Sequence, residues 1–493
     1  MNFLDKIKSY ASSSAAVEIA RNRAAVAQYE SVSGSGRKVN TSTQSPSALT
    51  KMAQKPLAQQ ARYYEENFGI VSAMLDEITV KVVGDGINVN PQPKLLNGEL
   101  AAPLAKQLAS MYEMHSRLFC MEGRTQRFEA ERLFLRTFVR DGEAFARMYN
   151  QGSHSYLTQV KSGVELFECD HIDAGLTDKA LNIHNGIQLG DYNRVEGYLY
   201  NKDPNAFGQN PTLIPSSEIL HLANKNRIGS LRGISKLAPV IGDIADLANF
   251  KEASQLALKA AVKITMIHEV SNSSLVEKLT DDDEPLDLEF GYSNVLQVPK
   301  GDSVKMVESA KGIGDTVKAI LSMQKQITSG TGVSHSSTTS NYERSYSAQR
   351  QELIDRWASY MVLRTMLISN FCRPTYEQFV NAAFIQGILD VPKDIDFSTL
   401  FNAEFTGAVM PWIDPKKEAE SIKILMGAGL LPLSLALAQR GLDITNVLTR
   451  YAQDRKLQSA LGLDDINFIE NATANAGGSN GKQDNNADSE DDE

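Results

Sequence analysis

Cys169, Asp170 and His171 bring nucleophile, acid and base side chains into three consecutive positions. Adjacent residues of an extended strand point to opposite faces, so the triplet reads as a structural turn rather than a catalytic set. The run Asp281-Asp282-Asp283-Glu284 has the hard oxygen ligands a divalent cation takes. It lacks the glycine and the spaced carboxylates of a calcium loop, so it reads as a solvated acidic surface or a partner-docking patch. Histidines at 115, 154, 171, 184, 221, 268 and 335 show no ligand spacing. No G-x-x-x-x-G-K-[ST] string occurs, and GGSNGKQ near the C-terminus fails both the glycine spacing and the residue after lysine. H-E-x-x-H and C-x-x-C are missing too, and GGSNG at 477–481, which has G-x-S-x-G spacing, falls in the low-complexity end rather than on a strand-to-helix turn, so the sequence predicts no phosphate cradle, no zinc site, no nucleophile elbow, no cofactor and no enzyme. Trp357 and Trp412 read as core anchors.

Two polar features invite a different chemistry. Lys311, Lys318 and Lys325 recur every seven residues, which places them near one face of a helix. That face is either simply solvated or a track of phosphate contacts. Residues 329–346, SGTGVSHSSTTSNYERSY, hold no large aliphatic side chain and read as a solvent-exposed loop with His335 and Arg344 in or beside it.

Helical periodicity positions these segments. Apolar residues recur at helical spacing over about 56–80 and, as one block, over about 100–140, where Phe128, Leu133, Phe134, Phe138 and Val139 fall on a broad apolar face. Residues 31–55 read as a flexible lead. Short β-like runs separated by Gly, Asp and Asn turns fill 142–225, a small mixed α+β region. One long amphipathic helix is expected over 234–269, then a strand-like polar insert over 270–310. A shorter helix follows over about 313–328. A second long helix runs from near Ser347 past Phe371, with Pro374 breaking or kinking it. The region 415–465 is helical, and the acidic low-complexity end is expected to be disordered.

The 493 residues suffice for several domains, and 42% hydrophobic with 22% charged residues is an ordinary globular composition. No stretch nears the ~20 apolar residues needed to span a bilayer, so no membrane partner is expected, and the N-terminus shows no signal-peptide pattern. Three distant cysteines suggest buried thiols in a reducing compartment. Net charge is −10, yet residues 1–55 carry eight basic against three acidic side chains. An acidic body argues against tight nucleic-acid binding, although DNA can still slide past a surface that does not hold its phosphates.

The order of long helix, polar insert, shorter helix, small-residue loop and long kinked helix resembles the lambda-type tailed-phage portal family. The strings that carry the resemblance are NRIGSLRGISKLAPVIGDIADLANFKEASQLALKAA, SNYERSYSAQRQELIDRWASYMVLRTMLISNFCRPTYEQFV and MPWIDPKKEAESIKILMGAGL, with GDGINVNP and GIQLGDYNRVEGYLY. They cover about residues 60–460.

The resemblance implies an α+β, mostly helical portal fold assembling as a ring, commonly of twelve copies, around a central channel. A flexible basic arm would occupy 1–39 and the wing 40–233 with 347–414. The stem would be 234–269 and 311–328, the clip 270–310, the tunnel loop 329–346, the crown 415–470 and the disordered tail 471–493. DNA-facing residues would be Ser334, His335, Ser336, Ser337, Thr338, Thr339 and Arg344, with Lys311, Lys318 and Lys325 on the stem. Asp281, Asp282, Asp283, Glu284, Asp287 and Glu289 would dock partners on the clip. Those partners would be other copies of the chain, double-stranded DNA, the terminase large subunit, the major capsid and scaffold proteins, and head-completion or adaptor and tail proteins. The ring would be built in the host cytoplasm and end in the virion. The competing readings are another structural or scaffold protein of the virion head, an ATP-driven DNA translocase, and a sequence-specific DNA binder.

Overall fold

The computed structural model describes residues 45–150, 160–205, 210–263, 266–269, 303–306, 313–341, 346–410, 415–438, 440, 442 and 444–462. It divides into two compact units, Met1–Met410 and Pro411–Glu493.

The first unit opens with helix α1 (Pro46–Asn67). The Ser45 hydroxyl caps it by accepting from the Ala48 amide, and Pro46 pre-sets the first turn. Leu49, Ala53, Leu57 and Ala61 follow at four-residue spacing on its buried face. The expectation that 46–55 belongs to a flexible lead is therefore corrected. Phe68 leaves helical geometry at φ −127°, its ring packed against Tyr63 and Tyr64, and α2 (Gly69–Val82) starts beyond it. Two helices thus stand where the pattern suggested one.

The block expected over 100–140 is likewise two helices, α3 (Ala102–Ser116) and α4 (Arg127–Asp141). Phe134, Leu135, Phe138 and Val139 are buried, whereas Phe128 and Leu133, expected on the same face, are exposed. Leu133 lies one 100° step on the opposite side of Phe134 from Leu135. Between 143 and 223 the expected short strands form. β2 (Glu143–Tyr149) is central in an antiparallel sheet between β3 (Gly163–Phe167) and β8 (Ile219–Ala223). An antiparallel meander contains β4 (Ile183–His184), β5 (Ile187–Leu189), β6 (Val195–Tyr200) and β7 (Thr212–Pro215). β1 (Asn88–Pro91) pairs separately with β11 (Ala403–Thr406).

The long helix expected over 234–269 is shorter: α5 spans Ile241–Lys263. Pro239 donates no amide hydrogen and biases the residue before it away from helical geometry, so 236–240 forms turns ahead of the helix. At the other end Met266–Glu269 is strand β9, paired antiparallel with β10 (Ser303–Met306). Helix α6 (Ile313–Thr331) follows, then the short α7 (His335–Thr339) and the long α8 (Tyr346–Leu367). Pro374 cannot donate to the carbonyl four residues back. The chain accommodates this with a π turn over Ile368–Cys372 and continues as α9 (Arg373–Ile385), so the expected kink is a change of helical register.

The principal core joins α1, α2, α4, residues 234–247 and α8, with Met74, Leu75, Phe134, Phe138, Ile244 and Tyr360 among its buried side chains. A second core packs Leu104, Leu108 and Tyr112 of α3 against Tyr376, Phe379 and Val380 of α9. Trp357 packs on the principal core and edge-on to Tyr360, while Trp412 lies outside the described residues. The second unit contains α10 (Pro415–Gly427), α11 (Leu433–Ala438) and α12 (Ile444–Ala460). The architecture is mostly helical with small sheets, as expected.

Candidate functional site: the helix pair and the serine-rich segment

Two backbones touch where the sheet region hands over to the helix pair. Gly142 caps α4 in the left-handed region at φ +90°. A Cβ on Gly142 would lie 2.0 Å from the Ile234 carbonyl carbon, and one on Gly233 would lie 2.0 Å from the Gly142 oxygen. Only glycine permits that approach on both sides.

The residue beside each glycine seals the junction. Glu143 and Arg232 form a wholly buried ion pair, the guanidinium Nε donating to both carboxylate oxygens at 2.9 and 3.0 Å. Arg232 Nη1 also donates to the carbonyls of Ile172 and Asn185, each at 2.8 Å. Gln54 Nε2 and the Gly233 amide donate to the same carboxylate, and His221 Nε2 lies 3.2 Å from it. Burial pushes the Glu143 carboxyl up, but the Arg232 charge and the hydrogen bonds from His221 and Arg232 outweigh it and hold the group at about 2. Beyond the junction Leu237, Val240, Ile241, Ile244 and Leu247 are buried, so the root of α5 is fixed to the core.

α5 and α6 run antiparallel. Gln326 donates to Asp243 at 3.1 Å, and Lys251, Ser254 and Leu258 share a shallow groove with Thr316, Val317 and Ile320. Gly330 lets the end of α6 approach Val240, since a Cβ there would sit 2.5 Å from Val240 Cγ1. Lys318 and Lys325 are exposed on α6, with Lys318 Nζ 3.6 Å from Asp315. Lys311 lies outside the described residues.

The serine-rich segment is not the open loop expected for it. α6 continues to Thr331, Gly332 turns the chain at φ +77°, and His335–Thr339 is helical. Ser334 and Ser336 are buried, and His335, Ser337, Thr338 and Thr339 are half-buried. The Glu352 carboxylate from α8 gathers this turn. It accepts from the Ser334 hydroxyl at 3.0 Å, the His335 amide at 2.7 Å, the Ser336 amide at 3.3 Å and the Ser336 hydroxyl at 2.7 Å. Partial burial pushes the Glu352 carboxyl up, but the Ser336, Ser334 and His335 donors outweigh it and hold it below the usual carboxylate range. Thr338 and Thr339 donate back to the carbonyls of Ser334 and His335. Hydroxyls that the sequence suggested were free for solvent are used internally, because Ser and Thr satisfy nearby backbone groups whenever a helical turn forms. Arg344 lies outside the described residues.

Other candidates resolve simply. Cys169–His171 is a 3-10 turn: the buried Cys169 thiol and the Asp170 carboxylate both meet Arg62, at 3.6 and 2.6 Å, while His171 Nδ1 meets the Asn201 carbonyl at 2.8 Å. The acidic residues 281–289 lie outside the described residues. Among the described residues no group of His, Cys, Asp and Glu is placed to hold a metal, and no helix is long and apolar enough to cross a membrane. Sequence reasoning missed Glu143, Arg232 and Glu352. For the first two the signal available was the Asp-Gly-Glu of 141–143 and the Arg-Gly of 232–233; for Glu352 there was none.

Comparison with known proteins matches residues 33–364 to the profile described as "Phage portal protein, lambda family". The portal protein of Escherichia phage N15 is 22% identical over 320 residues, 57% of this chain and 60% of that protein. Portal protein B of Escherichia phage lambda is 21% identical over 324 residues, 58% of this chain and 61% of that protein. The match therefore spans less than two thirds of the length of these relatives. Among solved structures, a chain from the neck of an empty gene transfer agent (GTA) particle superposes with a TM-score of 0.48 at 10% identity, covering 78% of this chain and 93% of that one. A chain from the virion of a native GTA particle gives 0.48 at 11% identity, covering 85% and 98%. Through the profile match over two thirds of its residues, the chain belongs to the lambda family of phage portal proteins.

Proposed function

We infer that copies of this chain close into a ring, of twelve by family expectation, whose hole conducts double-stranded DNA during packaging and ejection at one vertex of a phage head. The observation that carries this is the α5–α6 pair. Its root is fixed to the core by Arg232 and Glu143, and its α6 face carries exposed lysines one heptad apart. Such a pair is a rigid wall element whose backbone groups, away from the helix ends, are bonded within each helix, which suits a lining that must not snag a moving polymer. Lys318 and Lys325, with Lys311, are the proposed phosphate contacts, exposed and screened by salt.

Ser334–Thr339 and Arg344 belong to this reading as the turn beside the passing duplex, with Glu352 setting the shape of that turn. The acidic run Asp281–Glu284 with Asp287 and Glu289 is the proposed docking surface for a terminase and later a head-completion protein with basic complement. Major capsid and scaffold proteins would surround the ring in the assembling head. Negative-stain images of the purified protein test the proposal: rings with a central hole support it, and a monodisperse monomer across micromolar concentrations removes it.

A further inference from the structure

The serine-rich turn is folded between two carboxylates whose surroundings are opposite. Glu352, on α8, takes four donors from the turn on its two oxygens. Glu77 lies on α2, which packs against α7. The Ser337 and Tyr360 hydroxyls border it, and Lys81 stands one turn further along α2. Glu77 is half-buried, yet its Oε1 atom is sealed from solvent and has no hydrogen-bond partner. An ionised oxygen left in that state costs free energy that a neutral carboxyl largely avoids. Tyr360 ties the two sides together: it is buried on α8, and its hydroxyl accepts from the Ser334 amide at 3.4 Å.

We propose that Glu77 and Glu352 oppose each other across this turn, Glu352 holding it folded and Glu77 loosening it whenever Glu77 gives up its proton. The inference concerns the folded chain alone and stands whether or not copies close into a ring. Burial pushes the Glu77 carboxyl above its ordinary range, and Lys81, Ser337 and Tyr360 only partly offset this. The folded turn therefore favours neutral Glu77. That contribution is complete below the ordinary glutamate value of about 4.3 and is lost as pH rises through the raised folded value. The Glu352 contribution has the other sign: complete above about 4.3, it is lost as pH falls through its lowered folded value. The turn is tightest near about pH 4.3 and loosens toward neutral pH as Glu77 ionises. Among the described residues, the other charged or titratable groups beside this site are His335 in the turn, Lys81, Arg356 and Tyr360. Burial keeps the Tyr360 hydroxyl protonated, and lysine and arginine hold their charge through neutral pH. An imidazole changes charge in this range, so the difference between the wild type and a Glu77 variant is the quantity that isolates Glu77.

The test is hydrogen exchange on the full-length protein, read on peptides covering 333–340 from about pH 5 to about pH 8 and corrected for intrinsic rates. Wild-type protection should fall by about threefold or more across this range, as a raised carboxyl value requires. Glu77→Gln keeps the size and removes the charge; it should abolish most of that fall and leave the turn better protected than the wild type at neutral pH. Peptides from β2 serve as the control for global opening and should show no such difference. Wild-type protection that is level or rises with pH overturns the proposal. A Glu77→Gln profile parallel to the wild type overturns it too, since the slope then belongs to His335 or to global opening. If the variant does not fold, the wild-type profile is compared with that of His335→Asn: a fall that persists without the imidazole supports Glu77, and one that vanishes with it sinks the idea.

Discussion

Arg232 and Glu143 form a buried ion pair one residue from the point where Gly233 and Gly142 bring two backbones into contact. The pair and the glycines act on one joint. The glycines permit the approach, and the ion pair satisfies the polar groups the approach would otherwise strand. Removing one partner leaves an uncompensated buried charge, so Arg232→Met alone should cost about 3–5 kcal/mol. R232M/E143M should cost less than the sum of the two single changes. Urea unfolding of the four proteins in this cycle measures the coupling, and additivity would contradict the joint as described.

The same pair sets an acid limit. Glu143 is held at about 2 in the folded chain, below the ~4.3 of an unfolded glutamate. Its contribution of about 2–4 kcal/mol is therefore complete above about pH 4.3 and is lost as pH falls toward about 2. Unfolding free energies from about pH 6 to about pH 2.5 should fall more steeply for the wild type than for R232M/E143M. Parallel curves would show that the Glu143 carboxyl is not held below its unfolded value by the pair.

Gly233→Ala places a methyl 2.0 Å from a carbonyl oxygen that cannot retreat without moving α4. A loss above about 2 kcal/mol is expected, since overpacking a rigid backbone contact typically costs about 1–3 kcal/mol. Gly229→Ala has open space around its Cβ but a φ of +83°, so it should cost only the backbone term of about 1 kcal/mol. Thermal midpoints of the two variants provide the comparison; a Gly233 variant as stable as the Gly229 one would mean the close approach relaxes freely.

Glu352→Gln keeps the size of the side chain but weakens four charge-assisted acceptances. Exchange of the His335 and Ser336 amides should speed up by about tenfold, and Glu352→Ala should speed it further. Because the Glu352 carboxyl is held below its usual range, the restraint is present at neutral pH and released as pH falls through the folded-state value. Protection of these amides, relative to their intrinsic exchange rates, that is unchanged by both substitution and pH would remove Glu352 as the organiser of this turn.

Lys318→Ser with Lys325→Ser should leave ring formation unchanged and flatten the salt dependence of DNA retention. The slope of log affinity against log salt should fall by about 0.9 for each phosphate that no longer has a lysine to neutralise it. Titration of DNA fragments at several salt concentrations supplies the slope, and an unaltered slope returns these lysines to an ordinary solvated face.

The sequence by itself determined the order of elements. Periodicity marked α6 and α8, Pro374 marked the break that became the π turn at Ile368–Cys372, and alternating short runs marked the sheets. These are local signals, carried by residues a few positions apart. Tertiary structure decided which polar residues are free. Ser334 and Ser336 look like solvent-facing hydroxyls until Glu352, a helix away, turns their donors inward. Arg232 and Glu143 look like surface charges until 89 residues of chain fold back to bury them together. Burial and pairing depend on contacts between distant segments, and the energy of a polar group depends on whether its partner arrives with it.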